Sequence, residues 1–118
     1  MNAQEQRRLL ELAAKAKGIT VRWHEKSLYG PTMEIMDDES GGPPWNPIDD
    51  DGDALRLAVT LGMDVDVCLE TNSTWALAAY DGSPGITENH RESDPYAATR
   101  LAIVRAAAAI GEEMEEER

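Results

Sequence analysis

Trp45-Asn46-Pro47-Ile48-Asp49-Asp50-Asp51-Gly52-Asp53-Ala54-Leu55-Arg56-Leu57-Ala58-Val59-Thr60-Leu61-Gly62 is the stretch from which the fold is read. Pro43 and Pro44 stand just before it, so prolines fix φ at three of five consecutive positions and drive the residues before them toward extended backbone. The loop therefore arrives stiff. The carboxylates of Asp49, Asp50, Asp51 and Asp53 fall where a helix exposes unpaired N–H groups and the positive end of its dipole, which predicts a helix start near Gly52. From Ala54 to Leu61 only Arg56 and Thr60 are polar, and their i,i+4 spacing confines them to one narrow strip. The rest of that helix is available for burial, Arg56 should pair with Asp53 or Asp49, and Gly62 is the expected stop.

Upstream, residues 3–17 gather Leu9, Leu10, Leu12, Ala13 and Ala16 on one side, with Lys15 and Lys17 near the negative end and Gly18 as terminator, which predicts a first helix. Ile19, Val21 and Trp23 alternate with Thr20, Arg22 and His24, the pattern of a half-buried strand. A short extra strand is expected at 32–36, and Asp37-Asp38-Glu39-Ser40-Gly41-Gly42 is an acidic loop by composition.

Downstream, Val65, Val67 and Leu69 alternate with Asp64, Asp66, Cys68 and Glu70 as a strand with one wet face. Thr71-Asn72-Ser73 turns the chain into a return strand, where Trp75, Leu77 and Ala79 oppose Ala76, Ala78 and Tyr80. Residues 81–93 are expected as a polar loop. Asp94-Pro95 is an N-cap and N1 pair that opens a helix running to about Glu116. That helix has a wide apolar face, which predicts a homodimer through residues 95–114. Five carboxylates from Glu112 to Glu117 oppose its dipole, so the tail 112–118 should fray beyond a single domain of residues 1–111. The implied fold is an α+β, α/β/α sandwich in the order α-β-(β)-α-β-β-α: a mainly antiparallel sheet of three to four strands with helices on both faces.

Trp45-Asn46-Pro47, then Asp50-Asp51-Gly52-Asp53-Ala54-Leu55-Arg56-Leu57-Ala58-Val59, and later Ala97-Ala98-Thr99-Arg100, Ala102-Ile103-Val104-Arg105-Ala106-Ala107-Ala108 and Ile110-Gly111, resemble the phage ABA sandwich domain family. The similarity runs from the first helix to Gly111. It implies helices on both faces of a sheet and a bacteriophage or prophage origin, and it brings no catalytic residues with it.

The 118 residues suffice for one core. Charge is unevenly placed: residues 1–26 hold six Lys/Arg and three Asp/Glu, residues 27–118 five and twenty, and the net is −12. Such a surface repels phosphate backbones, so direct nucleic-acid binding is not expected and a protein partner with a basic surface is. A single cysteine, Cys68, forms no disulfide within the chain. The charged amphipathic start is no secretory leader, and no apolar run approaches the roughly 20 residues of a membrane span, so a cytoplasmic protein is expected.

Catalytic and metal motifs fail on spacing. With Gly52 at the sixth position of a calcium loop, the first position is Pro47 and the twelfth Ala58, neither of them a ligand. His24-Glu25 lacks the second histidine of a zinc helix, the required position being Leu28. No phosphate loop, dinucleotide fingerprint or nucleophile elbow is present, and no cofactor or metal is predicted. The candidate binding residues are Trp45 and Asn46 of the stiff loop with the acids Asp49, Asp50, Asp51, Asp37, Asp38 and Glu39. Trp45 has two readings, a preorganised anchor for a partner or a lid over the core. Tyr29 and Trp23 share that ambiguity. The expected function is that of a phage accessory protein that binds a host or phage protein, for example inhibiting a nucleic-acid-handling or defence enzyme. The alternative is a small-molecule or nucleotide-binding domain with its pocket near the Trp45 loop, where the aspartates disfavour a phosphate.

Overall fold

The computed structural model describes residues 1–25, 30–36, 42–77, 85–90 and 94–116. In chain order its elements are α1 (Ala3–Lys17), β1 (Val21–His24), β2 (Thr32–Ile35), α2 (Asp51–Thr60), β3 (Asp64–Cys68), β4 (Ser73–Leu77), β5 (Ile86–Asn89) and α3 (Pro95–Glu116). The class is α+β, with antiparallel pairing throughout.

Local chemistry sets the helix ends. Asn2 caps α1 by accepting the Glu5 N–H at 2.8 Å, and Gly18, at φ +84°, closes it. Asp50 caps α2 by accepting the Asp53 N–H at 2.8 Å. Gly62, at φ +60°, gives its N–H to the Val59 carbonyl while Met63 gives its own to Ala58, the paired bonds of a glycine-terminated helix. Asp94 Oδ1 accepts the Ala97 N–H at 2.7 Å, and Pro95 takes the first helical position, where no donor is missed.

The strands divide between two small sheets, β1-β2 and β3-β4-β5. The division has a cause in the proline loop. β1 pairs with one edge of β2, with Val21 opposite Ile35 and Trp23 opposite Met33. On the other edge, Ile35 donates to the Pro43 carbonyl at 2.9 Å and Trp45 donates to the Met33 carbonyl at 2.8 Å. Pro44, which has no N–H, forms a bridge opposite Glu34. Both edges of β2 are thereby used, and the later strands build their own sheet. Part of the expected 81–93 loop is strand: residues 86–89 pair with β4, with Thr87 opposite Trp75 and Asn89 opposite Ser73.

α3 stands between two apolar clusters. Ile103, Val104 and Ala107 pack with Leu10, Ala13 and Ala14 of α1, with Leu57 of α2, and with Met33 and Trp45. Ala102 and Ala106 pack with Ala76 of β4 and Ile86 of β5. The small side chains let the helix lie close on the sheet. Most of the apolar face of 95–114 is covered within the chain, with Tyr96 and Met114 its exposed large apolar residues. α1 crosses α3 at Gly111, where a Cβ would run into the Leu12 carbonyl. α3 remains helical to Glu116, because Glu115 meets Arg8 at 2.8 Å and Lys15 at 3.6 Å, and these cations of α1 offset its repulsion by the helix dipole. No helix among the described residues is long and apolar enough to cross a membrane.

Candidate functional site

The acidic loop is occupied with itself. Asn46 Oδ1 accepts the N–H groups of Ile48 at 3.0 Å and Asp49 at 3.3 Å, and its Nδ2 donates to Asp49 Oδ2 at 3.0 Å. The Asn46 N–H donates to Asp53 Oδ2 at 2.9 Å, while Asp53 Oδ1 takes Arg56 at 2.8 Å, the pair expected from spacing. Asp50 is spent on the helix cap. Asp51 Oδ1 accepts from Arg100 Nη1 at 2.6 Å, and Arg100 Nε donates to the Ile48 carbonyl at 2.7 Å. Asn46, Asp49, Asp50 and Asp51 thus lie together at the start of α2, and their bonds are internal: they fasten the loop to α2 and α2 to α3.

Trp45 is 1 % exposed. The lid reading holds for it, and the surface-anchor reading does not, because its ring is enclosed by the core of α1, α2 and α3. Its indole Nε1 is buried without a hydrogen-bond partner among the described residues. Trp23 lies half-buried with the Arg7 guanidinium 5.8 Å from its ring centroid. Asp37, Asp38, Glu39 and Tyr29 lie outside the described residues. Among the described residues no three of His, Cys, Asp and Glu converge to hold a metal ion. Cys68 ends β3, and hydrogen bonds from Thr71 hold its thiol below the ordinary value.

The open feature is elsewhere, between α2, β3 and α3. A groove of about 740 Å³ runs between Ala54, Leu55 and Ala58 of α2, Val65 and Val67 of β3 with Leu69 just beyond, and Pro95, Tyr96, Thr99, Arg100 and Ile103 of α3. Register explains its wall. Val65 opposes Ala76 and Val67 opposes Thr74, both fully buried under α3, so the two valines share that side of the sheet. β3 reaches past the shelter of the helix, leaving Val67 45 % exposed and Leu69 67 %. On α2, Leu55 and Val59 are 64 % and 71 % exposed. Of the apolar positions available for burial, Ala54, Leu57 and Ala58 face the core, while Leu55 and Val59 form a second, exposed stripe.

Asp51, Thr99 and Arg100 are the polar residues that line the groove. Arg100 is already bound to Asp51 and Ile48. Thr99 Oγ1 lies 2.8 Å from Thr74 Oγ1, which lies 2.8 Å from His90 Nε2 beneath the groove. His90 is buried, and its Nδ1 has no hydrogen-bond partner among the described residues. The expected pocket near the Trp45 loop is thus displaced: Asp51 belongs to the groove, but Trp45 does not line it. An excess of apolar stripes on α2 over what one core can cover was the available signal. Comparison with family models, with curated proteins and with solved structures gives no match to the chain.

Proposed function

We propose that the protein is a binding module that holds a protein partner in the groove between α2, β3 and α3. One observation carries this reading: five large apolar side chains, Leu55, Val65, Val67, Leu69 and Tyr96, are exposed and line the same groove. Scattered apolar residues on a surface are ordinary, whereas a contiguous patch in a concavity marks an interaction site. The net charge of −12 selects a basic partner and disfavours nucleic acid. With the phage setting that the family resemblance implies, the partner is a host or phage protein in the cytoplasm. An enzyme that handles nucleic acid or serves in defence, with a basic surface to be covered, is the class best suited, and the action is steric occupation.

The test is capture from lysate of phage-infected cells with the tagged protein and with a Leu55→Asp, Leu69→Asp variant, at low and high salt. Both positions are solvent-facing, so the variant should keep its melting temperature. A partner held by the wild type, weakened by salt and lost with the variant is the expected result. A partner held equally by both removes the groove from the reading.

The volume of the groove also falls within the range of small-molecule pockets, about 300–1,000 Å³. Its one guanidinium is spent on Asp51 and Ile48, which favours a macromolecular occupant over an anionic ligand. A melting-temperature rise with any member of a nucleotide and metal panel would reverse that preference.

A further inference from the structure

We infer that the partner is bound by strand addition: an extended segment alternating apolar residues with Lys or Arg pairs with the free edge of β3 and lays its apolar side chains in the groove. This rests on the protein-binding reading of the same groove and names the mode and the chemistry of the occupant.

The first observation is topological. β3 is the outer strand of β3-β4-β5, and among the described residues β4 is the one strand paired with it. In an antiparallel pair, alternate residues turn their N–H and C=O away from the partner strand. Among the described residues the outer edge of β3 therefore presents unpaired backbone groups, and an exposed edge of this kind is a template for another strand. At about 3.4 Å per residue, the five residues of β3 offer about 17 Å of edge.

The second observation is the separation of its two faces. Val65 and Val67 point into the groove, and Asp64 and Asp66 point to the opposite, solvent side. Neither aspartate makes a side-chain hydrogen bond or ion pair among the described residues. A strand added beside β3 has the same alternation forced on it by the pleat. Residues on one side meet Val65, Val67 and the wall made by Leu55, and residues on the other lie beside Asp64 and Asp66. Opposite charges across neighbouring strands stabilise and like charges destabilise, so the second set is Lys or Arg.

Charge also decides against a second copy of this chain. Two β3 edges joined antiparallel would put Asp64 and Asp66 of both copies on one face, between molecules that each carry a net −12.

The experiment uses the full chain and two synthetic seven-residue peptides, one alternating lysine with valine and one alternating glutamate with valine. Backbone amide hydrogen exchange across residues 64–68 and affinity by titration are measured for the wild type and for an Asp64→Lys, Asp66→Lys variant. Both substitutions are at exposed positions. The expected result is slowed exchange in β3 with the lysine peptide, about tenfold weaker binding of that peptide by the variant, and a reversed preference for the glutamate peptide. Equal binding of the two peptides by the wild type, or binding that leaves β3 exchange unchanged, would overturn the inference. So would β3 protection that grows with protein concentration alone, since the occupant would then be a second copy. Loss of capture by the Leu55→Asp, Leu69→Asp variant does not depend on either peptide, so the groove reading can survive the failure of strand addition.

Discussion

Arg100 ties α3 to the first residue of α2, its Nη1 donating to Asp51 Oδ1 at 2.6 Å while its Nε donates to the Ile48 carbonyl at 2.7 Å. The two bonds are unequal. The Asp51 side chain is 67 % exposed and can exchange Arg100 for water, whereas the Arg100 side chain is 17 % exposed. The backbone bond to Ile48 is the one that fixes where α2 begins against α3, and hence how far apart two walls of the groove stand.

Replacing Arg100 by Met should therefore cost about 1 kcal/mol or somewhat more, the loss of a hydrogen bond to a partly buried carbonyl. Asp51→Asn should cost less than about 1 kcal/mol, as exposed ion pairs do. Arg100→Lys should not restore stability, because a single ammonium lacks the fork that serves both acceptors at once. Urea unfolding at constant slope measures all three. Equal costs for Arg100→Met and Asp51→Asn would show that the ion pair, not the Ile48 bond, holds the joint.

Thr74 is fully buried, with its hydroxyl 2.8 Å from both His90 Nε2 and Thr99 Oγ1. Thr74→Val keeps the shape and strands the imidazole, for an expected loss of about 1–3 kcal/mol. Thr99→Val should cost less, since Thr74 keeps its bond to His90. Thermal unfolding of the two variants tests the order, and a larger loss at Thr99 would contradict it.

The helices were legible because their ends are written locally. Asp50, Gly62, Asp94-Pro95 and Gly18 are short-range signals, and each sits at the terminus expected of it. The split of the sheet was not legible, since it depends on Ile35 and Trp45 finding partners across a loop that composition marks only as stiff. β5 was hidden because Ile86 is its one apolar residue, too little for a period of two to register. The aspartates of the loop were correctly placed at a helix start, but Arg100, which binds Asp51, is 49 residues away. The groove escaped for a related reason: periodicity sorts side chains by face and says nothing of which apolar face lacks a cover. Leu55 and Val65 have the pattern of core residues and are exposed.

Glu115 introduces a pH dependence. The Arg8 guanidinium beside it holds its carboxyl below the usual carboxylate value of 4.5. A carboxyl with a lowered folded-state value favours the fold at pH above its unfolded value, and the contribution is lost as pH falls through the lower, folded one. The last turn of α3 should thus keep its anchorage to α1 at neutral pH and lose it in acid below the ordinary carboxylate range. Arg8→Ala should return the Glu115 titration toward the ordinary value and speed amide exchange over residues 112–116 at neutral pH. Carboxylate chemical shifts followed through an acid titration check this, and an unchanged midpoint in the variant would refute it.

Gly111→Ala sets two principles against each other. Within a helix, alanine is favoured over glycine by about 1 kcal/mol, so propensity alone predicts a more stable protein. At this position the added methyl meets the Leu12 carbonyl, backbone that cannot rotate away as a side chain could. Gly111 is buried where α1 and α3 cross, so relief requires the helices to separate and loosens the packing of Leu10, Ala13 and Ala14 on Val104 and Ala107. Overpacking of this kind costs about 1–3 kcal/mol, which meets or exceeds the gain in propensity. Gly111→Ala should therefore destabilise the chain in urea unfolding despite its better helix former, and speed exchange in α1 more than in β3 or β4. A variant more stable than the wild type would mean that the crossing is looser than the Gly111 and Leu12 backbones place it.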